Sequence, residues 1–135
     1  MSKKRSIELL NDYEKALERL HEGCSMSPDH TIVVDGVIQR FEFTFELCWK
    51  LLQSVQYLHG LEVKSPRQAI KQAYQMQIIQ EGDAWIDMLM DRNRTSHIYD
   101  EEQSQIIYHK IVTTYIHLLD TVKDSVRSLL NSVDD

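Results

Sequence analysis

The chain has 135 residues, 42% of them apolar and 27% charged, and a net charge of −6 from 15 basic and 21 acidic side chains. This is the composition of one globular domain, not of a disordered chain, and at this length it can fold without a disulfide framework or a metal. Four glycines and two prolines are about a third of average usage, which excludes the turn-rich sandwiches, barrels and doubly wound sheets.

Residues 4–22 place Ile7, Leu10, Leu17 and Leu20 at mixed spacings of three and four, with Tyr13 and Ala16 between them. That period is helical, and Gly23 reads as its C-cap. Ser25 to Asp29, with Pro28 inside, reads as a loop. A long helix is predicted over 30–58, where Val34, Val37, Ile38, Phe41, Phe45, Cys48, Trp49, Leu52 and Val55 form one stripe. Its β-branched opening, Thr31 to Val34, could pass for a strand, but the unbroken helical period that follows decides for helix. Gly60 ends it.

Ser65-Pro66 is a helix start, because serine caps and proline suits the first helical position. The third helix is predicted over 66–79, with Ala69, Ile70, Ala73, Tyr74 and Met76 on its apolar side. Gly82-Asp83 breaks and re-caps the chain. A fourth helix follows over 83–97 with Trp85, Ile86, Leu89 and Met90. Asp100 and Gln103 have capping-box spacing. The last helix, 101–131, carries Ile107, Ile111, Thr114, Tyr115, Leu118, Val122, Val126 and Leu129. Five helices joined by short connections predict an all-α, up-and-down antiparallel bundle, four-helix-bundle-like, in one domain over residues 1–135. Rods this long often bury a second face by forming a homodimer.

The acidic balance argues against a blanket nucleic-acid or anionic-membrane coat, while leaving room for a small basic site. No apolar run reaches the roughly 18 residues of a membrane span. The start, Met-Ser-Lys-Lys-Arg, leads into an amphipathic helix instead of the apolar core of a signal peptide. Two cysteines, Cys24 and Cys48, point to a reducing, cytoplasmic compartment.

The densest polar cluster runs from Asp91 to Asp100, Asp-Arg-Asn-Arg-Thr-Ser-His-Ile-Tyr-Asp. On a helix Asn93 and His97 share a face, as do Arg92 and Ser96. Arg92 and His97, five apart, diverge by about 140° if the helix continues. A long arginine can wrap partway back, and a symmetric dimer can bring two copies of the pair to one cleft. The set suits phosphodiester chemistry. Histidine takes a proton from a 2′-hydroxyl near neutral pH. Arginine holds a phosphate by two hydrogen bonds and stabilises charge as it builds. No metal is needed. The same residues also suit a plain helix C-terminus, where cations favour the dipole and cap carbonyls, so the bare five-residue spacing is weak evidence.

Arg92-Asn93-Arg94-Thr95-Ser96-His97-Ile98-Tyr99 resembles the Arg-x4-His-x-Tyr signature of the HEPN superfamily. Phe41 to Lys50, Ser65-Pro66-Arg67, Trp85 and Ser96 to Asp100 resemble blocks of the nucleotidyltransferase substrate-binding protein family, over roughly residues 5–130. The resemblance implies a homodimeric helical bundle encoded beside a minimal nucleotidyltransferase. In related two-gene modules the HEPN protein is a toxin and a metal-independent ribonuclease. The nucleotidyltransferase is the antitoxin, and it transfers adenylate to the motif tyrosine. Carried over by position, Arg92 and His97 are the catalytic pair, Asn93 orients the phosphate or the pair, and Tyr99 accepts adenylate. The partners implied are the minimal nucleotidyltransferase, a second copy of the chain, and RNA (tRNA or mRNA). Neither a cofactor nor a membrane is implied. The alternative is a non-catalytic substrate-binding subunit that docks the nucleotidyltransferase and presents a substrate to it.

Other candidates weigh less. Glu42 and Glu46, one turn apart, are either paired carboxylates or surface and interface acids, and Lys50 is placed to pair with Glu46. Phe45 and Trp49 read as core or dimer interface. His109 and His117 are two turns apart, too far for a shared metal, and His21 with Cys24 lacks a second ligand pair, so no metal is assigned. Lys64, Arg67 and Lys71 form a basic strip facing RNA, an acidic partner or simply solvent.

Overall fold

A computed structural model describes residues 2–98 and 100–133. Helix α1 spans Lys3–Cys24 and α2 spans Thr31–Leu58. They are followed by α3 (Pro66–Gln75) and α4 (Gly82–Arg94), then a single 3-10 turn, Thr95–His97. The last rod is α5 (Glu101–Lys110) and α6 (Ile116–Asn131), joined without a break by a π-helical turn, Ile111–Tyr115. Among the described residues there is no strand, and the all-α bundle of five rods is the architecture that the hydrophobic period predicts.

Hydrogen bonds between rods show their directions. Arg40 Nη1 donates to the Arg19 carbonyl at 2.7 Å, and the Ser6 and Ser54 hydroxyls meet at 2.5 Å. The partner of α1 therefore climbs in number as α1 falls, so α1 and α2 are antiparallel. His21 Nε2 lies 2.7 Å from Asp120 Oδ1, and Lys3 Nζ donates to the Val133 carbonyl at 2.8 Å. The last rod thus also runs antiparallel to α1. The short α3 is tied to α2 by Gln56 Nε2, which donates to the Ala69 carbonyl at 2.8 Å. The core is one continuous cluster in which Tyr13, Phe41, Phe45, Trp85 and Tyr115 are the largest buried side chains.

Local signals account for the starts of α3 and α5 and for the end of α2. Ser65 Oγ accepts from the Gln68 amide at 3.2 Å, and Asp100 Oδ1 accepts from the Gln103 amide at 2.8 Å. Each satisfies an otherwise orphaned N–H of a first turn. Gly60, at φ 79°, turns the chain out of α2 through the left-handed region, which glycine enters without a Cβ penalty.

The structure departs from expectation at several points. Gly82-Asp83 does not cap α4: both lie inside the helix, and Glu81, at a positive φ of 54°, precedes it without a side-chain cap bond. Gly23 is no C-cap: it lies inside α1, and a Cβ there would sit 3.2 Å from Val37 Cγ2, so its small size lets α1 approach α2. Helix α3 stops at Gln75 instead of 79. Gln77 takes a positive φ of 62°, and Ile78 and Ile79 turn into the core, which they could not do from the same helix face. Tyr74, expected on the apolar side, is 53% exposed and lies over Gly82; Ile7 and Met90 are also exposed. The π-turn in the last rod has no forerunner in the apolar pattern.

Candidate functional site

The polar cluster occupies the last turn of α4 and the 3-10 turn after it. Tightening from α to 3-10 keeps the chain coiled through His97, and Ile98 then becomes extended (φ −86°, ψ 120°). Ile98 packs against the core and anchors the exit. Arg92 is half-buried; Asn93, Arg94, Ser96 and His97 are exposed. Tyr99 lies outside the described residues.

Arg92 faces α2. Its Nη1 lies 3.6 Å from Glu42 Oε2 and donates to Thr95 Oγ1 at 3.4 Å. Thr95 Oγ1 lies 2.9 Å from Glu42 Oε2 and 2.6 Å from the Arg92 carbonyl, and its single proton can serve one of these acceptors at a time. Arg92 Nε is buried and has no hydrogen-bond partner among the described residues. The Nη1 group of the guanidinium is therefore held by α2 and Thr95, and the buried Nε is closed to any ligand in this arrangement. Among the described residues no hydrogen bond or ion pair joins Arg92 to Asn93 or to His97. Asn93 presents its carbonyl to Ser96 Oγ at 3.1 Å.

Asp91, the residue before Arg92, faces the last rod instead and is 1% exposed. Its Oδ1 accepts from Arg94 Nη1 at 2.9 Å, and its Oδ2 lies 2.6 Å from Lys110 Nζ. The Tyr115 hydroxyl also donates to Oδ2. Burial, and then this hydrogen bond to a carboxylate, push the Tyr115 phenol well above its ordinary range. The Tyr115 ring stacks on Phe41 at 5.7 Å and 18°, and Lys110 Nζ sits 5.8 Å from its centroid. Beside the segment, a groove between the first turns of α2 and α5 is lined by Val34, Asp35, Ile98, Asp100 and Glu101. Its three carboxylates make it a poor bed for a phosphate backbone.

Sequence reasoning singled out Arg92, Asn93 and His97 but missed what holds them. Glu42 reads from sequence as half of a carboxylate pair or as a surface or interface acid, whereas its partner is Arg92. Asp91, Lys110 and Tyr115 were not read as a unit, and the one signal that could have found them was an acid placed directly before the motif arginine. Of the lesser candidates, Lys50 does pair with Glu46, at 3.4 Å, and Trp49 Nε1 donates to Glu46 Oε2 at 3.0 Å. Phe45 is core and Trp49 packs against it. His21 pairs with Asp120, and among the described residues no three His, Cys, Asp or Glu side chains are grouped as a metal would need. Lys64, Arg67 and Lys71 are exposed, and Lys64 lies 4.0 Å from Glu62. No described helix is long and apolar enough to cross a membrane.

Residues 8–128 match the family described as nucleotidyltransferase substrate binding protein like. The chain belongs to that family. A curated relative, the probable ribonuclease HepT of Haemophilus influenzae, is 27% identical over 84 residues. That match spans 58% of this chain and 58% of the relative's length. A solved protein of Thermus thermophilus is 33% identical, with a TM-score of 0.79 over 85% of this chain and 98% of that one. The tri-AMPylated HEPN toxin of Shewanella oneidensis, solved in complex with its MNT antitoxin, is 18% identical. It superposes with a TM-score of 0.68 over 95% of this chain and 99% of that one, so the two chains share a fold.

Proposed function

We propose that this chain is the HEPN toxin of a two-gene module, a metal-independent ribonuclease paired with a minimal nucleotidyltransferase. The observation that carries the reading is the state of Arg92. It is anchored at Nη1 by Glu42 and Thr95 and stands one short turn from an exposed histidine. The names of its relatives, a probable ribonuclease and a toxin bound to its antitoxin, support the same reading.

In the reaction His97 takes the proton of an RNA 2′-hydroxyl. The freed oxygen attacks the adjacent phosphorus and the 5′-oxygen leaves with a proton. The products are a 2′,3′-cyclic phosphate and a 5′-hydroxyl. Arg92 holds the pentacovalent phosphate as its charge builds, and Asn93 orients that phosphate or the pair. A homodimer would set two Arg92–His97 pairs at one cleft, so that one histidine can serve as base and the other as acid. The nucleotidyltransferase silences the toxin by moving adenylate from ATP to the Tyr99 hydroxyl, with release of pyrophosphate.

The test is cleavage of total tRNA by the purified protein in EDTA, beside Arg92→Ala and His97→Ala. Cleavage by wild type and by neither variant is the expected result; cleavage that survives either substitution overturns the mechanism. A second reading, a substrate-binding subunit of the nucleotidyltransferase, is favoured by the Glu42 carboxylate that already neutralises Arg92 in the free chain. It takes over if unmodified protein, with Tyr99 shown bare by mass, leaves tRNA intact.

A further inference from the structure

Asp91 is buried, yet it carries a carboxylate whose two oxygens serve three donors. A buried carboxylate is costly unless it is paired and hydrogen-bonded, and Asp91 is both. Two of its three donors come from the last rod, Lys110 and Tyr115, five residues apart. On a regular α-helix, residues five apart diverge by about 140°, which sets their side chains on different faces. The π-turn lies over Ile111–Tyr115, directly between them. Its i→i+5 closure brings both side chains to one side of the rod.

We infer that Asp91, gripped by Lys110 and Tyr115 across this π-turn, is the positioning residue that sets Arg92 for phosphate contact. The inference rests on the ribonuclease reading for its catalytic consequence, but not for its geometry. One residue along a helix turns direction by about 100°, so Asp91 facing the last rod leaves Arg92 facing α2. Locking Asp91 therefore locks the rotation of α4 about its own axis. That rotation decides whether the guanidinium meets Glu42 and Thr95 with its Nε buried. Tyr115 in turn is fixed by its stack on Phe41, which shares α2 with Glu42. The two sides of Arg92's support are thus referred to the same helix, one residue apart. A device of this kind aims a reacting group without touching substrate.

The test uses Tyr115→Phe, which keeps the ring and its stack and removes only the hydroxyl, with Lys110→Met as a second variant. Circular dichroism first checks that each variant keeps the helical content. The first readout is the Arg92 Nε–Hε signal in a nitrogen–proton correlation spectrum, assigned by its loss in Arg92→Lys. Both variants should shift this signal and speed its exchange with solvent by about tenfold or more. The second readout is tRNA cleavage, where kcat should fall by about tenfold or more while KM stays within about twofold. A merely structural role would lower thermal stability and leave both readouts at wild-type values. An unchanged Arg92 signal in both variants overturns the inference. If wild type fails to cleave tRNA, the ribonuclease reading falls alone, and the Arg92 signal still decides the positioning.

Discussion

Glu42 on α2 lies 3.6 Å from Nη1 of Arg92 and 2.9 Å from the Thr95 hydroxyl, so one carboxylate of the long helix clamps the end of α4. The clamp has two opposed effects. It orients the guanidinium, and it competes with any phosphate for the same charge. The pair is partly solvated and contributes on the order of 1 kcal/mol or less to stability.

Glu42→Gln should therefore leave the fold intact and lower Tm by at most a few degrees. Glutamine can still accept from Thr95, but it no longer neutralises Arg92. On a His97→Ala background, which prevents cleavage, tRNA affinity should tighten by about two- to fivefold at low salt, and the gain should vanish at about 0.5 M salt. Fluorescence anisotropy with labelled tRNA reads both. Unchanged or weaker binding would show that Glu42 serves only to orient Arg92.

Two phenylalanines two residues apart on α2 should behave as opposites. Phe41 is fully buried and stacks on Tyr115, whereas Phe43 is 60% exposed. Phe41→Ala should cost about 3–5 kcal/mol, by lost transfer energy and the cavity left behind. Phe43→Ser should stay within about 0.5 kcal/mol of wild type. Urea unfolding separates the two. Equal losses would mean that the register of α2 is wrong.

The buried thiol and phenols predict how stability depends on pH. Burial pushes Cys48 up to about 12 from its ordinary 9.0 and raises Tyr13, and burial with the Asp91 hydrogen bond raises Tyr115. Each group ionises more easily in the unfolded chain than in the folded one. Above the unfolded values the unfolded state binds fewer protons, so stability falls as pH rises. The stabilisation is fully present below about pH 9 and is lost progressively up to about pH 12. Tm followed against pH should hold through neutrality and drop on the alkaline side. Cys48→Ala should soften that drop. A profile that falls only on the acid side would contradict the burial of these groups.

The parts of the molecule that were legible in the sequence are those governed by neighbours in the chain. Apolar side chains repeating at three and four placed all five rods, because a helix that packs on a core must show that period. Ser65 and Asp100 revealed helix starts, because a cap acts on an amide three residues away. The order Arg92 to Tyr99 carried the family resemblance that implies the candidate chemistry, since a motif is itself a local property. The same logic failed at Gly23, where helix end and close helix contact call for the same residue. It failed at Gln75, where the need to bury Ile78 and Ile79 ended a helix that had no stop signal.

What only the tertiary structure decided is how the motif is held. Glu42 reaches Arg92 because α2 passes the end of α4, and nothing in the order of residues from 42 to 92 states that crossing. Asp91 was visible beside the motif, but its burial and its three donors depend on where the last rod lies. The π-turn lies between Lys110 and Tyr115, whose shared partner, Asp91, is distant in the chain. Local energetics write helices, caps and spacing into the sequence. The register between rods comes from the packing of the whole core at once, and that register turns a polar stretch into an oriented site.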